Sequence, residues 1–278
     1  MPIGASDPTL WDDRIARARR LATDYPDAAD LLTFYASLAE YQASLLKKGS
    51  GVFFARHTTG EKDSRPLFRD LLDTRFILSA IPDLLSWLQQ NAPAALAVPI
   101  SALQTDSSRW RTVLDSYLDG HQDERETGLD TFVVEALVQP FAEQLAKSEK
   151  TPRSRIGSSE SRCASCGGTP VLGILREEGH GAKRSLLCGL CLTEQDYLRV
   201  VCPACDEQRF DALPIFTADR FDHVRIEACD SCRTYLKTID LTKDGTAVPV
   251  VDDLASVSLD LWARDRGYQR LRPNLLRV

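Results

Sequence analysis

Four Cys-x-x-Cys pairs lie between residues 163 and 232, and they decide the fold of the second half of the chain. They read Cys163-Ala-Ser-Cys166, Cys188-Gly-Leu-Cys191, Cys202-Pro-Ala-Cys205 and Cys229-Asp-Ser-Cys232. Such a turn aims two thiolates at one ion while its backbone N–H groups donate to the sulfurs, and two turns complete a tetrahedral shell. The spacing therefore predicts two metal sites, with all eight cysteines as ligands.

The intervals between the pairs are 21, 10 and 23 residues long. Each long interval has room for a β-hairpin, formed by 171–175 with 184–187 and by 213–216 with 224–227. We expect two tandem rubredoxin-like or zinc-ribbon modules, the first with pairs one and two, the second with pairs three and four. The intervals alone also permit a cross-braced arrangement, in which pairs one and three bind one ion and pairs two and four bind the other.

The histidines do not extend these predicted sites. His180 and His223 lie inside the long intervals, and because four sulfurs are already available for each ion we interpret both as loop residues. His57 and His121 lie in no nucleophile or metalloprotease motif and are interpreted as surface or loop residues. Closed four-thiolate shells also leave no open coordination position for hydrolysis. We predict that the chain is not an enzyme.

The first half contains no cysteine and has the apolar periodicity of helices. Asp7-Pro8 is typical of a helix start, Tyr25-Pro26 of its end, and a second helix is predicted to end before Gly49. We expect Pro82 to begin another helix, and the last helix, over 129–147, to be kinked or broken at Pro140. The simplest assembly is an all-α bundle.

After the last cysteine pair, Asp252-Asp253 precede an apolar stripe that ends near Gly267, which predicts one capped C-terminal helix packed on the modules or on the bundle. The segment 148–162 is rich in Ser and Arg and is predicted to be a linker. The predicted α+β organisation has five parts. They are a helical domain (1–147), the linker (148–162), a first module (163–201), a second module (202–250) and a C-terminal helix with its tail (251–278).

Composition excludes several classes of protein. The 278 residues are 43% hydrophobic and 27% charged, as in a globular chain. The net charge of −6 arises in residues 1–150, which hold 16 basic and 22 acidic residues, whereas the remainder holds 18 of each. Without a basic stripe, nucleic-acid binding is not expected. The longest uncharged stretch, 84–105, contains Gln89, Gln90, Asn91, Pro93 and Pro99, so it should not insert into a membrane.

The N-terminus carries no signal-peptide pattern, which predicts a cytoplasmic, reducing compartment. Paired cysteines in such a compartment bind metal more often than they form disulfides.

Four segments resemble one known family, the formate dehydrogenase accessory protein FdhE family. They are CASCGGTPV (163–171), CGLCLTEQDYLRVVCPACD (188–206), RIEACDSCRTYLKTID (225–240) and PVVDDLASVSLDLWARDRGYQR (249–270). The likeness continues upstream through ALVQPFAEQLA (136–146). The sequence departs from the family's pattern at Gln195, where Trp is common, and at Asp206 and Arg233, where Gly is common.

The resemblance implies a cytoplasmic assembly factor required for an active respiratory formate dehydrogenase. The implied partner is the catalytic molybdenum subunit, bound before its export through the twin-arginine pathway. The resemblance also favours iron in the two rubredoxin-like sites, carried by the eight matching cysteines. An all-sulfur tetrahedral site accepts zinc as well.

Two other functions stay open at this point. A rubredoxin-like electron carrier or redox sensor requires iron that cycles reversibly between two oxidation states. A generic zinc-ribbon interaction protein, for example one that binds nucleic acid, is disfavoured by the acidic pI of about 5.3.

Overall fold

The computed structural model describes residues 8–49, 71–93, 100, 103, 107–119, 128–148 and 161–278. Helices occupy the described part of the first half, and a mixed β-sheet with two short helices occupies the second. This arrangement confirms the predicted α+β class. Asp7, His57, His121 and most of the predicted linker lie outside the described residues.

Five α-helices occupy the described part of the first half. They are α1 (Pro8–Asp24), α2 (Ala29–Lys48), α3 (Thr74–Asn91), α4 (Ser107–Leu118) and α5 (Leu129–Ser148). Helix α1 ends where Pro26 begins a short 3-10 turn, as the sequence predicts. Helix α5 is buried along most of its length and packs against α2, α3 and α4, so it is the centre of the bundle.

Pro82 and Pro140 both lie inside helices. Pro82 does not begin a helix but lies inside α3, where it is exposed, so water can hydrate the carbonyl group that lacks its N–H partner. Of the two outcomes predicted at Pro140, a kink or a break, the break does not occur, because α5 runs through that residue. The carbonyl of Ala136, four residues earlier, instead accepts a hydrogen bond from Gln42 Nε2 at 2.8 Å. A side chain from α2 thus replaces the missing backbone donor.

All strands of the second half that the structure describes belong to one sheet. They are β1 (Pro170–Glu178), β2 (Gly181–Cys188), β3 (Glu194–Asp196), β4 (Ile215–Thr217), β5 (Val224–Ala228), β6 (Thr234–Asp240) and β7 (Gln269–Arg270). The order is β3-β2-β1-β6-β5-β4, with β7 beside β6. Strands β1 and β2 form the first predicted hairpin, and β4 pairs antiparallel with β5 as the second.

The two cysteine modules share this sheet because β1 and β6 pair in parallel at its centre. Gly173 faces Thr238 in that pairing, and a Cβ atom at position 173 would lie 2.2 Å from Thr238 Oγ1. Because no side chain fits that gap, glycine is required where the modules join. The modules are therefore two halves of one structural layer.

The C-terminal segment forms two helices rather than the single predicted one. They are α6 (Pro249–Ala255) and α7 (Val257–Asp265), separated at Ser256. Asp252 and Asp253 were expected to precede the helix as caps, but they lie inside α6 and are almost fully buried. Pro249 begins α6, and the N–H of Val248 donates to Asp252 Oδ2 at 2.8 Å. The aspartates are therefore core residues with tertiary partners.

The largest apolar core runs continuously from the helical half into the second half. It includes side chains from all five N-terminal helices, three cysteines of the first two pairs, and Leu254 of α6. The third and fourth pairs contribute no cysteine to it. Within the described residues, the two cysteine clusters thus differ in how they join the fold.

Candidate metal centres

Each cysteine pair forms the same tight turn. The N–H of the first cysteine donates to the carbonyl five residues later, with acceptors Gly168, Thr193, Glu207 and Thr234 at 2.9 to 3.0 Å. In three of the turns, the N–H two residues after the first cysteine also lies 3.4 Å from its sulfur: Ser165 to Cys163, Leu190 to Cys188 and Ala204 to Cys202. N–H groups directed at sulfur stabilise thiolates, as ligand turns require.

The residue that follows the second cysteine is left-handed in all four turns. The φ angles are 75° at Gly167, 53° at Leu192, 58° at Asp206 and 58° at Arg233. This conformation suits glycine and strains other residues. Asp206 and Arg233, which replace the glycine common in the family pattern, therefore keep the geometry that glycine would adopt.

The first cluster consists of Cys163, Cys166, Cys188 and Cys191. The sulfurs of Cys163 and Cys191 lie 3.5 Å apart, and those of Cys166 and Cys188 lie 3.4 Å apart. Sulfurs about 2.3 Å from a tetrahedral ion lie about 3.8 Å from one another. The cluster is therefore close to the size of a four-thiolate metal site.

The second cluster consists of Cys202, Cys205, Cys229 and Cys232. Its two measured sulfur separations, Cys202 to Cys232 and Cys205 to Cys229, are both 3.7 Å. Both clusters thus combine pair one with pair two and pair three with pair four, so the cross-braced arrangement is not the one adopted. Each could hold one metal ion.

The thiols of the first cluster perturb one another when no cation neutralises them. Hydrogen bonding with Cys166, Cys188 and Cys191 lowers the pKa of Cys163. The same contact with Cys163 raises the pKa of Cys166 and of Cys188. Because one thiolate disfavours ionisation of its neighbours, four thiolates in this space require a cation, which supports the fit of a metal.

Gln195 holds the first turn in place. Its Oε1 accepts a hydrogen bond from the N–H of Ala164 at 3.0 Å, and its Nε2 donates to the carbonyl of Arg162 at 3.1 Å. Strand β3 carries this residue beside the turn. The departure from the family pattern at Gln195 therefore supplies polar contacts that fix the chain before Cys163.

The helical half is joined to the second half by buried ion pairs that the sequence did not reveal. Arg17 of α1 pairs with Asp252 and, at 2.8 Å, with Asp244. His223 Nε2 lies 2.9 Å from Asp252 Oδ1, and this hydrogen bond raises the pKa of His223. Both histidines lie in turns, as predicted: His180 in the exposed turn between β1 and β2, and His223 in the turn before β5. The sequence did not indicate that His223 is buried against Asp252.

His223, Asp244 and Asp252 lie close enough together to resemble a third metal-binding group. The guanidinium of Arg17 already pairs with both carboxylates. We interpret this group as an ion-pair cluster.

A second buried network lies beneath the centre of the sheet. Lys237 has no exposed surface, and its Nζ lies 2.9 Å from Asp253 Oδ1 and 2.5 Å from Asp260 Oδ2. Arg270 pairs with the same two aspartates at 2.6 and 3.1 Å. These four residues lie in the segments 225–240 and 249–270 that resemble the family, but the sequence did not indicate that they pair with one another.

Two family models match this chain, "FdhE, N-terminal" over residues 4–155 and "FdhE, C-terminal domain" over residues 200–277. The chain belongs to the FdhE family. It is similar to the FdhE homologue of Aquifex aeolicus, with 28% identity over 92% of this chain and 91% of that one. It is also similar to the FdhE homologue of Pseudomonas aeruginosa, with 30% identity over 96% of this chain and 89% of that one.

A solved structure supports the fold of this FdhE family member. The crystal structure of the FdhE protein from Pseudomonas aeruginosa matches it with a TM-score of 0.69 at 24% identity, over 96% of this chain and 95% of that one. Within the described residues, no helix is both long and apolar enough to cross a membrane.

Proposed function

We propose that this chain is a maturation factor for a respiratory formate dehydrogenase. In this role it acts as a chaperone that binds the catalytic molybdenum subunit in the cytoplasm, before export of that subunit, and it performs no oxidoreduction itself. The observation that carries the proposal is the match to the FdhE family across both halves of the chain. The separate grouping of the two cysteine clusters supports it, since the resemblance assigns two metal sites to this family.

The eight cysteines are the proposed metal ligands, four to each ion. Sulfur separations of 3.4 to 3.7 Å and the N–H groups directed at sulfur fit a tetrahedral thiolate site. When bound, the metal would cross-link two turns within each module and neutralise thiolate charge. The resemblance favours iron, and zinc is the alternative, since both accept four thiolates.

Deletion of the gene in the organism that encodes it tests the proposal. We expect formate dehydrogenase activity to be lost while the transcript of the catalytic subunit stays at its normal level. A plasmid copy should restore activity, and the affinity-tagged protein should co-purify with the catalytic subunit. Unchanged activity in the deletion strain would contradict the proposal.

One observation favours a second candidate, a rubredoxin-like electron carrier or redox sensor. Cys205 of the second cluster is exposed, so an ion held there would lie near the surface. Voltammetry of the purified protein separates the two functions. A reversible one-electron wave in an iron-loaded protein supports the carrier, whereas a zinc protein without a wave excludes it.

A further inference from the structure

A groove beside the second cluster is lined by three of the five exposed large apolar side chains among the described residues. It is an open depression of about 560 Å³, solvent included. Its walls carry Val200, Phe210 and Ile215, which are 43%, 80% and 53% exposed. Apolar side chains that cluster at the surface of a folded protein mark an interaction site more often than isolated ones do.

The groove lies on the face of the sheet opposite α6 and α7. Ile215 pairs with Glu227, and Glu227 pairs with Leu236, so these three residues form one row across β4, β5 and β6. Their neighbours Phe216 and Tyr235 point to the other face, where Phe216 packs on Trp262 of α7. The groove face has only a small apolar cluster of its own, centred on Leu186, Tyr197 and Leu236.

Strand β4 ends the sheet on this side. Among the described strands, β5 is its only neighbour. The N–H of Ala228 donates to the carbonyl of Pro214, so the antiparallel pattern directs the peptide groups of Ile215 and Thr217 away from β5. An edge with free donors and acceptors beside apolar side chains fits an added peptide strand.

Arginines outnumber carboxylates among the side chains that line the groove, with Arg184 and Arg199 against Glu227. Glu227 is shared by Arg184, at 2.7 Å, and by Arg225, so two guanidinium groups face one carboxylate. Arg199 adds another positive charge to the lining, and its one hydrogen bond in the described structure goes to the carbonyl of Ala182. A carboxylate on the occupant would pair with the exposed guanidinium of Arg199.

We propose that this groove binds an extended, largely apolar peptide segment that carries an acidic side chain. The segment pairs with the outer edge of β4, places apolar side chains between Val200, Phe210 and Ile215, and directs its carboxylate to Arg199. The inference rests on the proposed function for the identity of the partner, which is the catalytic subunit of a formate dehydrogenase. A peptide is favoured over a lipid because the edge of β4 offers backbone hydrogen bonds.

Overlapping synthetic peptides that cover the catalytic subunit test this proposal against the full-length, metal-loaded protein. Fluorescence anisotropy should identify one apolar, acidic peptide as a ligand. The double variant Phe210→Ala with Ile215→Ser should bind it at least about tenfold more weakly. Leu261→Ser is the matched control, because Leu261 is 55% exposed but lies on α7, and it should change binding by less than about twofold.

Two further variants test the edge and the charge. Thr217→Pro removes an outward N–H and should weaken binding, since proline is tolerated on an edge strand whose N–H faces solvent. Arg199→Glu should weaken binding of the acidic peptide and favour a peptide in which lysine replaces the acidic residue. Every variant must keep its circular dichroism spectrum and two metal equivalents.

The outcomes distinguish this inference from the function on which it rests. If the intact catalytic subunit binds the wild type and the Phe210→Ala, Ile215→Ser variant equally well, the groove assignment is wrong and the proposed function stands. If the wild type binds neither the intact subunit nor any peptide, both the groove assignment and the proposed function are wrong. If light scattering shows a dimer that the double variant dissociates, the groove is an interface between copies and the peptide proposal is overturned.

Discussion

The two cysteine clusters share one ligand pattern but differ in their surroundings. In the first, Cys163, Cys188 and Cys191 belong to the core that the helical bundle also forms, and Gln139 of α5 donates to the carbonyl of Gly189 at 3.2 Å. In the second, Cys205 is exposed and the neighbouring apolar residues face solvent. The same motif therefore holds the fold together in one place and shapes an accessible surface in the other.

The largest expected effect comes from removing one ligand of each cluster in turn. Cys188→Ser should lower the thermal midpoint of the whole protein by about 10 °C or more, because it disrupts a metal site within the shared core. Cys205→Ser should lose one metal ion but lower the midpoint of the helical part by less than about 3 °C. Differential scanning calorimetry measures both. Equal losses would show that the clusters contribute equally to the core.

The ion pair that joins the two halves gives the next largest effect. Arg17→Ala leaves the buried carboxylate of Asp252 without its guanidinium and should lower the free energy of unfolding by about 3 kcal/mol. Arg19→Ala on the same helix removes only an exposed pair with Glu40 and should cost less than about 0.5 kcal/mol. Urea unfolding measures both. A small loss for Arg17→Ala would mean that apolar packing alone joins the halves.

His223 should make the same junction sensitive to pH. Its hydrogen bond to Asp252 raises its pKa above the ordinary value, with Asp222, Asp244 and Arg17 also close by. Because the folded-state pKa is raised, the stabilisation is complete below the unfolded-state value of about 6.5 and is lost as pH rises through the folded-state value.

Thermal midpoints measured between pH 5.5 and pH 8.5 test this dependence. The His223→Gln variant should lose the decline over that window. The exposed His180→Gln variant should retain it. An unchanged pH profile in the His223→Gln variant would show that the decline has another source.

The smallest expected effect concerns Asp206, which follows Cys205 of the second cluster and has a left-handed backbone conformation. Asp206 has φ 58°, and Asp206→Gly should raise the free energy of unfolding by about 0.5 kcal/mol by relieving strain. Arg233→Gly is a contrasting variant rather than an equivalent one. Arg233 also stacks over Tyr268 at 3.9 Å, so its loss should cancel the gain. A lower free energy of unfolding for Asp206→Gly would mean that contacts of the aspartate side chain stabilise the fold by more than its backbone strain destabilises it.

The sequence predicted the features that depend on local spacing. The four cysteine turns, both hairpins and the ends of α1 and α2 follow from residues a few positions apart. The continuous helix at Pro140 and the buried contact of His223 were not predicted, because the hydrogen bonds of Gln42 to Ala136 and of His223 to Asp252 join residues that are distant in the chain. The prediction of a single C-terminal helix preceded by Asp252 and Asp253 was also wrong. Both aspartates lie inside α6, where they pair with the distant residues Arg17, Lys237 and Arg270.

Spacing also carried no information about which cluster lies in the core. That difference depends on α5, which precedes the cysteine pairs in the sequence, and on α6, which follows them. Both helices contribute to the core that contains cysteines of the first cluster. The domain boundaries and the ligand role of the cysteines stay predictions.

Metal stoichiometry tests whether the eight cysteines form two separate four-cysteine metal centres. Native mass spectrometry of anaerobically purified protein should find two ions in the wild type, one in Cys163→Ser, one in Cys229→Ser and none in the double variant. Two ions in both single variants, or a single variant that loses both ions while it stays folded, would contradict that arrangement.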